Sequence, residues 1–95
     1  MSDPSGWWLL QNLNSGLFMG VSNMSTADSA DVVQFENNGT ADHLWRLLPG
    51  GGPWFRIQNR NSGLVLGVAG MSTADPAQVV QYADTGTADH LWRIL

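Results

Sequence analysis

The sequence predicts an all-β fold made from one four-strand unit used twice. Sliding the chain against itself by 47 positions aligns residues 7–48 with 54–95 without a gap, and 27 of the 42 aligned positions are identical. A fixed period of about 20 to 50 residues marks a repeat architecture, in which one unit cannot bury its apolar face alone. Within each copy, short runs of strand-like composition alternate with Gly, Asn, Asp and Ser turns.

The first copy offers WWLLQ (7–11), LFMGVS (17–22), DVVQF (31–35) and HLWRLL (43–48) as strands. The second offers WFRIQN (54–59), LVLGVA (64–69), AQVVQY (77–82) and HLWRIL (90–95). Asn14-Ser15-Gly16 and Asn61-Ser62-Gly63 fit hairpin turns, since Gly reaches positive φ without steric penalty and Asn or Ser bonds nearby backbone. STAD (25–28 and 72–75) fits a loop in which Asp28 or Asp75 accepts from backbone N–H groups, and NNG (37–39) and DTG (84–86) close the last hairpin. Residues 1–48 thus form a first repeat, PGGGP (49–53) a linker, and 54–95 a second repeat. The tryptophans are the large anchors for a small core. Trp45 and Trp92 are expected inside, joined by Leu47, Ile94, Val21 and Val68.

Composition narrows the function. A chain of 95 residues is one small domain with a limited core, and with no cysteine it has neither disulfides nor a thiolate metal site. Four Arg and no Lys stand against eight acidic residues, so there is no basic footprint for nucleic acid or for an anionic membrane surface. No apolar run approaches the roughly 20 residues of a membrane helix, which argues against membrane insertion. The opening MSDPSG lacks the regions of a signal peptide. The expectation is a soluble chain whose localisation is otherwise open, with no cofactor.

Ser25, Asp28 and His43 can be drawn as a catalytic triad, but nothing near Ser25 resembles a nucleophile elbow or oxyanion hole. Two histidines 47 residues apart make a poor metal set. Duplicated residues suit multivalent binding better than catalysis, and the chain is not expected to be an enzyme.

The segments VVQFENNGTADHLW (32–45) and VVQYADTGTADHLW (79–92), with the upstream NxxSG, the glycine-containing strand and STAD, resemble the ricin-type lectin repeat, also called the QxW repeat or family 13 carbohydrate-binding module. The resemblance spans nearly the whole chain. It implies a β-trefoil of three four-strand repeats with one shallow sugar site per repeat, in proteins that bind galactosides, xylans and related glycans. The family site combines an Asp on the second strand, an aromatic after the third, and an Asn followed by Gln. By position these fall on Gly20 and Gly67, on Phe35 and Tyr82, on Asp42 and Asp89, and on His43 and His90. The second-strand carboxylate is therefore absent from both repeats.

A sugar presents hydroxyls and an apolar C–H face, so a site needs acceptors and a flat ring. Asp42 and Asp89 each offer two carboxylate oxygens for paired hydroxyls, and Phe35 and Tyr82 offer the platform. His43 and His90 donate or accept, with Asn38 and Thr85 at the rim. The bland reading stands beside this: Asp42 and Asp89 cap backbone N–H groups, and the histidines are satisfied buried polar groups. The first function is thus a non-catalytic carbohydrate-binding protein. The alternative is a structural or protein-interaction module that keeps the repeat and has lost the sugar site.

A trefoil closes with three repeats and this sequence carries two. Either it is a fragment, or the third comes from another chain. Three chains with six repeats, a homotrimer, make two trefoils. They do so symmetrically, three first repeats in one and three second repeats in the other, or with one chain split between two others.

Overall fold

The computed structural model describes residues 6–95; the MSDPS opening, included in the first repeat and read for targeting signals, lies outside the described residues. Six strands form: β1 (Phe18–Val21), β2 (Val32–Phe35), β3 (Trp45–Pro49), β4 (Phe55–Asn59), β5 (Val65–Val68) and β6 (Val79–Tyr82). Each is rich in Val, Phe, Tyr, Trp or Leu, residues that suit a pleated, half-buried surface. β1 pairs antiparallel with β2, from Phe18 opposite Phe35 to Val21 opposite Val32. β5 pairs with β6 in the same register 47 residues later, from Val65 opposite Tyr82 to Val68 opposite Val79. A second sheet runs in the order β3-β4-β5-β6 and ties the two repeats together.

The hairpin β3–β4 crosses from one repeat to the next, with Trp45 opposite Asn59 and Pro49 opposite Phe55. Its turn is tight: the Gly50 N–H donates to the Trp54 carbonyl at 2.8 Å and the Trp54 N–H to the Gly51 carbonyl at 3.0 Å. The two outermost expected strands, 7–11 and 90–95, reduce to isolated bridges, Trp8 with Trp45, Gln11 with Phe18, and Phe55 with Trp92. The cause is the missing neighbour. β3 forms a ladder because β4 lies along its open side, and among the described residues neither terminal segment has such a strand.

The core is built on Val21, Trp45 and Leu66, with Met19, Ala30, Val32, Ile57, Val79 and Trp92 packed against it. The indole N–H of Trp45 donates to the Met19 carbonyl at 3.0 Å, and that of Trp92 to the Leu66 carbonyl at 3.2 Å, so each ring is fixed at its polar tip. Two of the expected core residues are instead exposed: Leu47, on the hairpin arm beyond Trp45, and Ile94, its equivalent in the last segment. Val68 and Trp92 are half-buried.

Short 3-10 turns at Ala41–His43 and Ala88–His90 drop a histidine ring under the second strand of each repeat. Gly20 makes room for the first: a Cβ there would lie 2.3 Å from His43 Cδ2, and one at Gly67 would lie 2.5 Å from His90 Cδ2. Glycine and histidine are thus two halves of one packing solution, used twice. At the surface, Arg56 holds the turn after β6 by pairing with Asp84 and also donates to the Pro49 carbonyl.

Two outcomes follow from this packing. Gly20→Ala forces a methyl into a buried imidazole and is expected to lower unfolding stability by about 1–3 kcal/mol, read by urea denaturation; an unchanged midpoint would show that the ring has room to move. The Arg56 hydrogen bond holds the Asp84 carboxyl below its ordinary range. A lowered carboxylate pKa stabilises the fold above the unfolded-state value and is lost as pH falls through the lowered one. Asp84→Asn should therefore flatten the acid side of the stability profile slightly while leaving the order of stabilities at alkaline pH set by the lost ion pair.

Candidate functional site

Two equivalent hollows lie beside the histidines. The first, about 340 Å³, is lined by Val21, Ser22, Asn23, Met24, Val33, Phe35, Asn38, Asp42 and His43. The second, about 570 Å³, is lined by Ser29, Val68, Gly70, Met71, Val80, Tyr82, Thr85, Thr87, Asp89 and His90. The eight residues singled out in the sequence therefore gather in two groups of four: Phe35, Asn38, Asp42 and His43 around one hollow, and Tyr82, Thr85, Asp89 and His90 around the other.

Local chain chemistry sets this geometry. β2 and β6 end on the aromatic, and the turn that follows is closed by an Asn or Asp side chain: Asn37 Oδ1 accepts from the Gly39 N–H and Asp84 Oδ1 from the Gly86 N–H, each at 3.1 Å. Gly39 and Gly86 supply the positive φ these turns need, 80° and 76°. The chain then enters the 3-10 turn that carries Asp and His. Phe35 and His43 stack with centroids 6.2 Å apart, and Tyr82 and His90 at 6.1 Å. Each imidazole thereby supports the inner side of an aromatic ring whose outer side stays open, Phe35 being 52% and Tyr82 39% exposed.

The carboxylates are held from two sides. Thr40 Oγ1 donates to Asp42 Oδ1, and Thr87 Oγ1 donates to Asp89 Oδ1 at 2.6 Å. The other oxygen faces the histidine, with Asp42 Oδ2 3.5 Å from His43 Nε2 and Asp89 Oδ2 3.3 Å from His90 Nε2. Asp42, His43 and His90 are buried and Asp89 is half-buried. The opposite nitrogen of His43, Nδ1, is buried without a hydrogen-bond partner among the described residues. At the rim, Asn38 Oδ1 lies 2.6 Å from the same Thr40 Oγ1 and competes with Asp42 for its one proton, and the Thr85 and Thr87 hydroxyls lie 3.1 Å apart.

The arrangement offers a flat apolar ring beside hydroxyl, amide and carboxylate groups, in a shallow hollow open to water. It can hold a small polar molecule with one apolar face. Sequence reasoning missed Met24 and Met71, which wall the hollows, and Thr40 and Thr87, which fix the carboxylates. Their duplication was the available signal. Among the described residues no group of three or more His, Cys, Asp or Glu could hold a metal ion, and no helix is long and apolar enough to cross a membrane.

Comparison with known proteins places this geometry. The designed three-fold symmetric protein ThreeFoil superimposes with a TM-score of 0.91 at 35% sequence identity, covering 97% of this chain and 66% of its own. The chain thus spans just under two thirds of a three-fold symmetric structure. An exo-β-1,3-galactanase, 1,3Gal43A from Clostridium thermocellum, matches with a TM-score of 0.94 at 24% identity over 100% of this chain and 21% of its own. The mdaA-1 domain matches at 0.74 and 25% identity over 90% of this chain and 51% of its own. Among curated proteins there is no significant match. The profile of the ricin-type β-trefoil lectin domain-like family matches residues 2–82 and again 43–95. With its paired repeats, all-β sheets and likeness to a three-fold symmetric trefoil, this chain belongs to the ricin-type β-trefoil lectin domain-like family.

Proposed function

We propose that this chain is a non-catalytic carbohydrate-binding protein with one shallow sugar site per repeat. The observation that carries the reading is the twofold occurrence of one hollow, each with an open aromatic ring next to a fixed carboxylate. Phe35 and Tyr82 take the apolar face of the sugar. Asp42 and Asp89 accept from hydroxyls, with Asn38 and Thr85 at the rim. His43 and His90 act from below, holding ring and carboxylate in register. Membership of a lectin-like family favours glycans as the ligand class, with galactosides and xylan-type sugars the first to try.

We also propose that residues 1–48 and 54–95 act as two trefoil repeats joined through 49–53, and that chains associate to supply the missing third. Three chains would give two trefoils and six hollows. Several weak sites on one assembly raise avidity on a multivalent glycan without any new contact. The second reading is a structural or protein-interaction module. Gly20 and Gly67 favour it, since they stand where the family carries a carboxylate, and the space a side chain would need is taken by His43 and His90.

Titration with galactosides and xylo-oligosaccharides, followed by protein NMR, separates the two. The expected result is a set of shifts at Phe35, Tyr82 and their neighbours, lost in the Asp42→Asn/Asp89→Asn variant while its spectrum stays folded. Binding that persists in the double variant would remove these carboxylates from the site. A broad glycan panel without any shift would establish the structural reading instead.

A further inference from the structure

One junction between repeats is fully built. The Asn59 side-chain amide donates to the Asp42 carbonyl at 2.8 Å, and the Asn61 amide to the Met24 carbonyl at 3.1 Å. Gln81 Nε2 donates to the carbonyls of Ser25 and Ala27, both at 2.9 Å. The Ala83 N–H donates to Asp28 Oδ1 at 2.8 Å. Gln81 also exchanges backbone bonds with the same loop, accepting from the Ser29 N–H at 2.8 Å and donating to the Ala30 carbonyl at 3.0 Å. Asn59 and Gln81 are both 0% exposed.

Subtracting 47 from the receiving side gives Asn12, Asn14 and Gln34, the same residue types in the first repeat. Their local geometry is the same. Ser15 Oγ donates to Gln34 Oε1 at 2.8 Å, as Ser62 Oγ does to Gln81 Oε1 at 2.8 Å. The Asn14 N–H donates to Asn12 Oδ1 at 2.9 Å, as the Asn61 N–H does to Asn59 Oδ1 at 3.0 Å. Yet Asn12 and Gln34 are exposed, and Val33 is 37% exposed where its equivalent Val80 is 4%. Among the described residues no carbonyl meets the Gln34 amide nitrogen. Beside it runs an apolar groove of about 400 Å³ lined by Leu10, Leu17, Met19, Val32 and Val33. Adding 47 to the giving side leads to the loop at 71–75 and to the last segment, where Ile94 is 70% exposed.

We propose that this face of the first repeat is a docking surface for a second copy of the chain. The partner's Ser72 and Ala74 carbonyls cap the Gln34 amide, and its last segment pairs beside residues 9–12. The partner gives this face its second repeat alone, its first repeat standing in another trefoil. A partner whose own junction stayed closed would set a fourth repeat where the first already stands in a three-fold ring. The contact itself copies the junction already present within the chain. It rests on the self-association proposed above and specifies where that association is read.

The copy is not perfect. Ser29, whose N–H donates to Gln81 within the chain, has φ 68°, and its equivalent is Pro76. Proline has no N–H and its ring excludes that φ. The junction between copies is therefore one backbone hydrogen bond short of the junction within a copy, and is the weaker of the two.

Sedimentation equilibrium of the intact chain at pH 7 tests this with two variants. Gln34→Glu replaces the donor with a carboxylate facing two carbonyls and is expected to raise the dissociation constant of the assembly by about tenfold or more, with denaturant stability at low concentration unchanged because Gln34 is exposed in the single chain. Pro76→Ser restores a donor and is expected to lower the dissociation constant severalfold. An assembly whose dissociation constant ignores both substitutions overturns this contact and leaves self-association standing. A chain that stays monomeric at millimolar concentration overturns self-association, and this contact with it. Sugar binding at the Tyr82 hollow, whose walls all lie within one chain, is read separately from both outcomes.

Discussion

The Gln81 side chain is the constraint on which the two-repeat structure turns. Its oxygen takes the Ser62 hydroxyl from its own repeat and its nitrogen reaches two carbonyls of the other. A buried amide left without partners costs more than the net gain from pairing it, so the position tolerates only a neighbour that presents those carbonyls. That requirement makes the repeat incomplete by itself. It also makes the direction of stacking unambiguous, since the giving loop and the receiving amide lie on opposite sides of one unit.

A small chain of this kind has little apolar surface to spare. Val21, Trp45 and Leu66 form the buried apolar cluster, and three of the five largest fully buried side chains, His43, Gln81 and Asn59, are polar. Specificity of stacking is thus carried by hydrogen bonds that only one register satisfies, while the apolar cluster supplies the driving force. Leu47 and Ile94, apolar and correctly spaced, stay exposed.

Much of this was legible in the sequence because it is written twice. The 47-residue offset gave the matched segments and the turns at Gly16 and Gly63, and the resemblance to the ricin-type repeat brought the aromatic, the Asp and the His together. What single-copy reading could not supply was which identical residues differ in environment. Nothing in the letters separates Gln34 from Gln81, or Asn12 from Asn59; only their place relative to the other repeat does. The same limit hid which backbone N–H would meet Asp28: it accepts from one as expected, and the donor, Ala83, lies across the junction. Strand ends failed for a related reason, since a terminal segment forms a ladder only where a second strand arrives.

Junction and hollow are not independent parts. Ser29 belongs to the loop of the first repeat that seats Gln81, and it also lines the hollow of the second repeat beside Val80 and Tyr82. The hollow of the first repeat, lined entirely by residues 21–43, is the smaller of the two. On the proposed docking, the partner's loop would bring residue 76 toward that first hollow, as Ser29 borders the second. Assembly would then add a wall to a binding site as well as a partner to Gln34. Because linkage is reciprocal, a ligand that touches that wall must favour the assembled state by the same factor that assembly favours the ligand. The two hollows, equal in their ring, carboxylate and histidine, would differ in how strongly they feel association, for the wall of one is covalently present and the wall of the other is borrowed.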